Sequence, residues 1–112
     1  IFINPVEIVD LTSQPATLTV IKQVINDNGG TAEASDFTFR IFYTYCDGST
    51  AGTGPIQASA EGFTSSLPSS ICGYRVLEQP SSGYTSARTG DCEINTISPS
   101  ATYTCTIVNN DE

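Results

Sequence analysis

The chain of 112 residues is long enough for one small domain with a modest hydrophobic core. Its 12 acidic residues against 4 basic ones give a net charge of -8, which argues against a nucleic-acid or anionic-membrane surface, because both need clustered Lys and Arg. Histidine is absent, so the commonest general base is missing, and we expect neither an enzyme nor a bound cofactor.

The composition and the regular spacing of turn-forming residues are typical of an all-β fold. Thr, Ser, Val, Ile and Tyr are frequent, and Gly, Pro, Asn and Asp interrupt the chain about every ten residues, which is the spacing of short strands in a sandwich or barrel. The sequence contains no apolar run long enough to span a membrane.

Residues 1–16 form a predicted N-terminal extension with two parts. The first part, Ile1–Leu11, is apolar and β-branched, whereas Thr12–Ala16 has the composition of a linker. The chain opens with Ile1 rather than Met, so we expect that a leader has been removed or that the sequence is a piece of a longer one.

Two interpretations of Ile1–Leu11 remain open. The segment can be the first strand of the domain itself, in which case Pro5 confines it to a sheet edge. It can instead leave its own domain and complete the sheet of a neighbouring subunit, which is polymerisation by strand addition. We favour this donor strand, because an apolar segment on a flexible tether is poorly placed in water. The donor residues would be Ile1, Phe2, Ile3, Val6, Ile8, Val9 and Leu11.

The segment Leu18–Ile25 predicts a strand that carries Lys22, the single lysine of the chain. Alternate side chains of a strand face the same way, so Leu18, Val20 and Lys22 share one face. The pattern leaves open whether this face is the buried one, because both faces of the segment are partly apolar.

A turn is predicted at Asn26–Gly30, because Asn and Gly readily adopt the positive φ values that hairpins and bulged loops need. The side-chain oxygens of this segment could also suit calcium. The following Thr31–Glu33 does not supply the further acidic ligands of a calcium loop at the right positions. We therefore expect a turn here and no metal.

Further strands are predicted along the rest of the chain. A long one, Asp36–Tyr45, should place Phe37, Phe39 and Ile41 on one face. The small-residue segment Asp47–Gly54 is expected to be a loop and the least ordered part. The other predicted strands are Ile56–Ala60, Gly62–Leu67, Cys72–Glu78, Tyr84–Arg88, Glu93–Ile97 and Ala101–Asn110.

The four cysteines are an even set in a short chain poor in charge, which favours disulfides and an oxidising, extracellular location. Three pairings are possible. Strand geometry favours Cys92 with Cys105 and Cys46 with Cys72, since residues 92–105 can fold back as a hairpin. A zinc site is the alternative, but it would need CxxC pairs or histidines, and the sequence contains neither.

Three polar residues stand at the ends of apolar strand faces, namely Lys22, Glu78 and Asn109. The segments around them resemble the Cna-B and SpaA-type domains of surface adhesins and pilins. In those domains the first strand reads apolar-x-apolar-x-Lys, an internal strand reads Tyr-x-apolar-x-Glu, and the last strand ends apolar-x-Asn. The matching segments are Leu18–Lys22, Tyr74–Glu78 and Ile107–Asn109.

The resemblance covers residues 17–110 and implies a transthyretin-like (prealbumin-like), immunoglobulin-like β-sandwich of about seven strands. The predicted organisation is therefore an extension over residues 1–16 and a sandwich domain over residues 17–112. The cysteines depart from the commonest members, many of which have none, so disulfides can supplement or replace the family's own crosslink.

In domains of this kind the lysine amine and the asparagine carboxamide condense to an intramolecular isopeptide, with release of ammonia. The resemblance implies that Lys22 and Asn109 are the crosslinked pair and that Glu78 is the catalytic acid. An enclosed lysine is desolvated, so its pKa falls and a nucleophilic amine becomes available, while a neutral carboxylic acid can move the protons. Uncertain register leaves Asn110 as a rival for Asn109, and an ordinary ion pair between Lys22 and Glu78 is the simpler alternative.

These features predict a secreted structural protein of the cell surface, a subunit of a filament or pilus-like fibre that polymerises with identical subunits. The alternative is an adhesin or stalk module of a larger multidomain surface protein, in which residues 1–11 would be a linker or a first strand. A third hypothesis, a small secreted enzyme or inhibitor, lacks a nucleophile with an adjacent base.

Overall fold

The computed structural model describes residues 15–112, in which nine strands and one 3-10 turn, Ala34–Asp36, form a two-layered β-sandwich. The strands are β1 (Thr17–Ile25), β2 (Thr38–Tyr45), β3 (Thr50–Gly52), β4 (Ile56–Gln57), β5 (Phe63–Ser66), β6 (Ile71–Glu78), β7 (Tyr84–Gly90), β8 (Glu93–Ile94) and β9 (Thr102–Asp111). The predicted all-β sandwich is therefore confirmed, with nine strands where about seven were expected.

The strands are divided between two sheets. Sheet I has the order β5-β1-β9-β7, and sheet II has the order β3-β2-β6-β8, with β4 also paired to β2. The pair β1–β9 is parallel and runs in register from Thr17–Thr102 to Ile25–Asn110. The other strand pairs are antiparallel. The first and last described strands are thus neighbours in the middle of sheet I.

The core lies between the sheets and follows the two-residue period of the strands. In β1 the side chains of Leu18 and Val20 are buried, and in β2 those of Phe39 and Ile41 are buried opposite them, as their alternation predicts. Phe39 also packs edge-on against Phe63 of β5, with ring centroids 5.8 Å apart, so aromatic contacts join the two sheets.

Several predicted boundaries are wrong in detail. The expected loop Asp47–Gly54 contains β3, which pairs with β2 through Thr44–Thr50, Tyr43–Ala51 and Phe42–Gly52. The predicted strand Ile56–Ala60 ends at Gln57, because the Ala58 amide donates to the Phe37 carbonyl just before β2, while the Ser59 carbonyl accepts from the Lys22 amide in β1. This segment therefore crosses from sheet II to sheet I.

Two further predicted strands are shorter in the structure. The strand expected to start at Asp36 begins at Thr38, since Ala34–Asp36 forms the 3-10 turn. The strand expected over Glu93–Ile97 covers Glu93–Ile94. Short strands at sheet edges carry little periodic signal, which explains why sequence patterns misjudge their length.

Both favoured disulfides are present. Cys46 pairs with Cys72 and Cys92 with Cys105, with Cα atoms 5.0 and 4.6 Å apart. The first bond ties the segment after β2 to β6 inside sheet II. The second ties β9 to the segment that leads from β7 to β8, and its Cys105 is fully buried in the core. The two bonds therefore fasten different halves of the sandwich.

The turn predicted at Asn26–Gly30 is held by a carboxylate of the last strand. Asp111 accepts the backbone N–H groups of Asp27, Asn28 and Gly30 at 3.1, 2.9 and 2.7 Å. Burial acts to raise the pKa of Asp111, but these hydrogen bonds outweigh it and hold the pKa below its ordinary value. Within residues 15–112 no cluster of three metal-binding side chains is found, and no helix is long and apolar enough to cross a membrane.

Candidate functional site: a buried lysine, glutamate and asparagine

Two members of the site project from the neighbouring strands β1 and β9. Lys22 lies opposite Ile107, and Asn109 lies opposite Val24. Asn109 is therefore two residues further along the parallel pair than Lys22, on the same face. Both side chains point into the sandwich and are 1% exposed. The alternation that buries Leu18, Val20 and Ile107 therefore carries one lysine and one asparagine into the core as well.

The third member, Glu78, comes from the opposite sheet. It is the last residue of β6 and lies opposite Phe39 of β2, so its carboxyl group approaches Lys22 and Asn109 from sheet II. Lys22 Nζ donates a hydrogen bond to Glu78 Oε2, and Asn109 Nδ2 donates to Glu78 Oε1 at 2.8 Å. One carboxyl group thus bridges the amine and the amide nitrogen, and the three residues form what we call the buried triad.

The surroundings of Lys22 favour its uncharged amine. Its Nζ lies 4.1 Å from the centroid of the Phe37 ring, and its side chain has no exposed surface. Burial lowers the pKa of Lys22 from 10.5 to about 8. The contact with Glu78 opposes this shift by favouring the charged form, as does the face of the aromatic ring. Burial thus makes the Lys22 amine easier to deprotonate than the amine of an exposed lysine.

The carbonyl oxygen of Asn109 is in an unusual position for a buried polar atom. Asn109 Oδ1 accepts no hydrogen bond from the described residues, whereas Asn109 Nδ2 bonds to Glu78. A buried acceptor without a donor is unfavourable by about 1–3 kcal/mol. The amide therefore has its nitrogen beside the Glu78 carboxyl group and its carbonyl oxygen without a donor among the described residues.

The neighbouring residue Asn110 projects to the other face of β9. It lies opposite Ile25 and Thr85, and its backbone carbonyl accepts a bond from the Thr85 hydroxyl at 3.3 Å. Its side chain makes no hydrogen bond to Lys22 or Glu78. Strand alternation thus brings Asn109, and not Asn110, to the other two members of the triad.

Sequence reasoning placed Lys22, Glu78 and Asn109 together, but it missed two residues near them. Phe37 supports the amine, and the buried Asp111 closes the turn after β1. The period-two pattern contained a signal for both, since Phe37 precedes the buried Phe39 and Asp111 follows Asn109 by two residues. The predicted donor residues within 1–11 lie outside the described part of the chain.

The fold is shared with a solved surface protein, and two further surface proteins give lower TM-scores. A pilus-presented adhesin, Cpa, superposes with a TM-score of 0.50 at 17% identity, over 92% of this chain and 29% of the adhesin. An adhesin from Mobiluncus mulieris with intramolecular disulfide, isopeptide and ester bond crosslinks gives 0.48 at 13% identity, over 88% and 42% of the two chains. The major pilin T3.2 from Streptococcus pyogenes gives 0.46 at 12% identity, over 88% and 46%.

At these identities the likeness concerns the fold, and the chain spans less than half the length of each of these proteins. None of the curated proteins matches the chain at a significant level of sequence similarity. A family model described as a prealbumin-like fold domain, SpaA_2, matches residues 13–111, which is nearly the whole chain. The chain therefore belongs to the SpaA_2 family of prealbumin-like fold domains.

Proposed function

We propose that this domain is a structural subunit of an extracellular, pilus-like filament, and that its first and last strands are joined by an isopeptide between Lys22 and Asn109. The observation that carries the proposal is the buried triad, in which one carboxyl group contacts both the amine and the amide nitrogen. The pilus-presented adhesin that shares the fold supports a role at the cell surface.

The condensation needs only Glu78 and the two groups that its carboxyl oxygens contact. Lys22 first passes a proton to Glu78, which leaves a neutral amine and a neutral carboxylic acid. The Nζ lone pair then attacks Asn109 Cγ, and the new Nζ–Cγ bond replaces the bond between Cγ and Nδ2. Glu78 gives its proton to Nδ2 and takes one from Nζ, so the nitrogen leaves as ammonia and Glu78 ends as the neutral acid. It returns to the carboxylate when it releases this last proton to the departing ammonia or to water.

The position of this bond suits a load-bearing subunit. Tension that enters at the start of β1 and leaves at the end of β9 would shear their parallel ladder along its length. A covalent bond from Lys22 to Asn109 transmits that tension directly between the two strands. Most of the chain between them is then relieved of load, and the two disulfides fasten parts of this segment.

Assembly would use the N-terminal segment. Residues 1–11 are apolar and β-branched, and joining them to a neighbouring subunit as a donor strand would remove this surface from water. The partner is another copy of the same chain. The two disulfides support an extracellular location, since such bonds persist in oxidising compartments.

Electron microscopy of the purified protein tests the assembly. The full chain should form filaments, and a chain without residues 1–11 should stay monomeric while its circular dichroism remains that of a folded β-protein. Filaments from the shortened chain would overturn the donor-strand mechanism. A full chain that stays monomeric at every concentration would overturn the filament.

A second candidate function is a stalk or adhesin module within a larger surface protein. The observation that favours it is that this chain covers 29% of the pilus-presented adhesin with the same fold. In that case residues 1–11 are a domain linker or a first strand, and the purified chain should be monomeric with or without them. The crosslink at the buried triad would serve either function.

A further inference from the structure

A groove runs between the two sheets where the chain passes from β6 to β7. Its volume is about 380 Å³, and its lining includes Leu77 and Glu78 on one side and Tyr84, Ser86 and Arg88 on the other. We call it the seam groove. Sheet II leaves it open because β8 covers β6 only at Tyr74 and Arg75.

The side chains of β7 that face this groove can be identified from the strand register. Tyr84, Ser86 and Arg88 lie opposite Asp111, Asn109 and Ile107 of β9, whose side chains are buried between the sheets. Residues opposite each other in an antiparallel pair share a face. Ser86 and Arg88 therefore point towards the interior of the sandwich, yet both are exposed. A layer of protein is missing over this part of sheet I within residues 15–112.

The same register shows which backbone groups of β7 are free. Glu112 donates to the Gly83 carbonyl, and Asp91 donates to the Thr104 carbonyl, so Gly83 and Asp91 form hydrogen-bonded pairs with β9. Hydrogen-bonded and non-bonded pairs alternate along an antiparallel ladder. Tyr84, Ser86 and Arg88 thus belong to non-bonded pairs and direct their N–H and C=O groups away from β9, towards the open edge.

This open edge is the longest in the described part of the sandwich. It offers the seven residues of β7, whereas the other edge strands are β5 with four residues, β3 with three, and β4 and β8 with two each. A strand that added to β7 would gain the longest ladder of backbone hydrogen bonds available. It would also cover the seam groove with its inward side chains.

We propose that the β7 edge and the seam groove receive residues 1–11 of a second copy of this chain, an inference that rests on the proposed donor-strand function. Eleven extended residues reach about 36 Å, which exceeds the roughly 23 Å of a seven-residue strand. The segment contains Glu7 and Asp10 and no basic residue, and the groove carries Arg88, one of only four basic residues in a chain of net charge -8. Arg88 bonds to the Val76 carbonyl at 2.6 Å through one nitrogen, so its other donors can meet a carboxylate.

Full-length proline variants test the edge. Ser86→Pro removes an outward N–H that the pairing with β9 does not use, and an edge strand tolerates proline at such a position. Ser86→Ala removes the same side chain but keeps the N–H. Ser66→Pro is the matched control on the β5 edge of sheet I, because the Leu67–Ala16 bond makes the neighbouring Ser66–Thr17 pair a non-bonded one.

The critical concentration for filament formation should rise about tenfold or more in Ser86→Pro and stay within about twofold of the wild type in Ser66→Pro and Ser86→Ala. In wild-type filaments the amides of Ser86 and Arg88 should exchange hydrogen at least about tenfold more slowly than in the monomer. A loss of circular dichroism in Ser86→Pro would leave the exchange measurement on wild-type protein to decide.

The outcomes separate this inference from the function on which it rests. Filaments that need residues 1–11 but form normally in Ser86→Pro, without protection of Ser86 and Arg88, would overturn the β7 edge and leave the filament standing. Protection of these amides in a monomer would show that the segment occupies its own domain, which overturns the second copy as occupant. An absence of filaments in wild-type protein would overturn both proposals.

Discussion

Replacing Asn109 by alanine separates the crosslink from the fold that surrounds it. Asn109→Ala removes the carboxamide that Lys22 would attack but leaves the ion pair between Lys22 and Glu78 in place. The neighbouring substitution Asn110→Ala is a matched control, since it removes the same chemical group one residue along β9, on the opposite face. Only the first should abolish the isopeptide.

The effect of Asn109→Ala on stability can be worked out from the structure. The isopeptide would close a loop of about 90 residues between Lys22 and Asn109, and the loss of such a closure costs about 4.5 kcal/mol in the chain-entropy model. The hydrogen bond from Asn109 Nδ2 to Glu78 adds nothing to this difference, because Nδ2 leaves as ammonia when the isopeptide forms. For a domain of this size, about 4.5 kcal/mol corresponds to a fall in Tm of roughly 20 °C.

Intact mass and thermal unfolding, measured together, check this prediction. After full reduction, wild type and Asn110→Ala should each be about 17 Da lighter than the sum of their residues, whereas Asn109→Ala should have its full mass. The Tm of Asn110→Ala should stay within about 4 °C of the wild type. A wild-type chain of full mass would refute the isopeptide, and the reverse result for the two variants would make Asn110 the partner of Lys22.

Three further predictions follow from burial and charge. Crosslinking should be followed by mass as chemically synthesised chains fold for the first time, because an isopeptide that has already formed would survive denaturant. Its rate should fall as the pH rises above about 8, because the pair of Lys22 and Glu78 then loses its shared proton. A rate that only rises with pH would contradict proton transfer by the acid, and Glu78→Gln should not crosslink at any pH. Mild dithiothreitol should open the exposed Cys46–Cys72 bond before the buried Cys92–Cys105 bond, as alkylation and peptide mapping can show; simultaneous opening would contradict protection by burial. Asp111→Asn should be less stable than wild type at pH 7, because the ionised carboxyl stabilises the fold at every pH above its unfolded pKa of 3.8. The difference in denaturation midpoint should vanish as the pH falls through the lowered pKa of this carboxyl. A difference that persists at pH 2 would assign the effect to the shape of the side chain and not to its charge.

Much of the predicted core followed from the two-residue alternation of side chains along the strands. The polar residues Lys22, Glu78 and Asn109 each stand at the end of an apolar strand face, and the structure buries all three side chains. Alternation alone left open whether the face of Lys22 is the buried one, because both faces of its strand are partly apolar. The expectation that the three residues meet came from the resemblance to Cna-B and SpaA-type domains.

The short edge strands and the pairing of neighbouring strands could not be predicted from the sequence. The three residues of β3 and the two of β8 are held by pairing with longer strands, so their conformation depends on contacts from distant parts of the chain. The parallel pairing of β1 with β9 is equally non-local. A strand pattern states which residues share a face, but it does not state which strand lies beside it.

Glu78 connects the two proposals, because its carboxyl group belongs to the buried triad and it also lines the seam groove. Its side chain is 5% exposed, whereas that of Lys22 has no exposed surface, so Glu78 is the member of the triad that meets the groove. Ammonia released in the proposed condensation would have to leave the core, and the groove lies beside the acid that would protonate it. A donor strand seated on β7 would close this path. Condensation would therefore precede docking, so that each subunit is crosslinked before it takes up load from its neighbour.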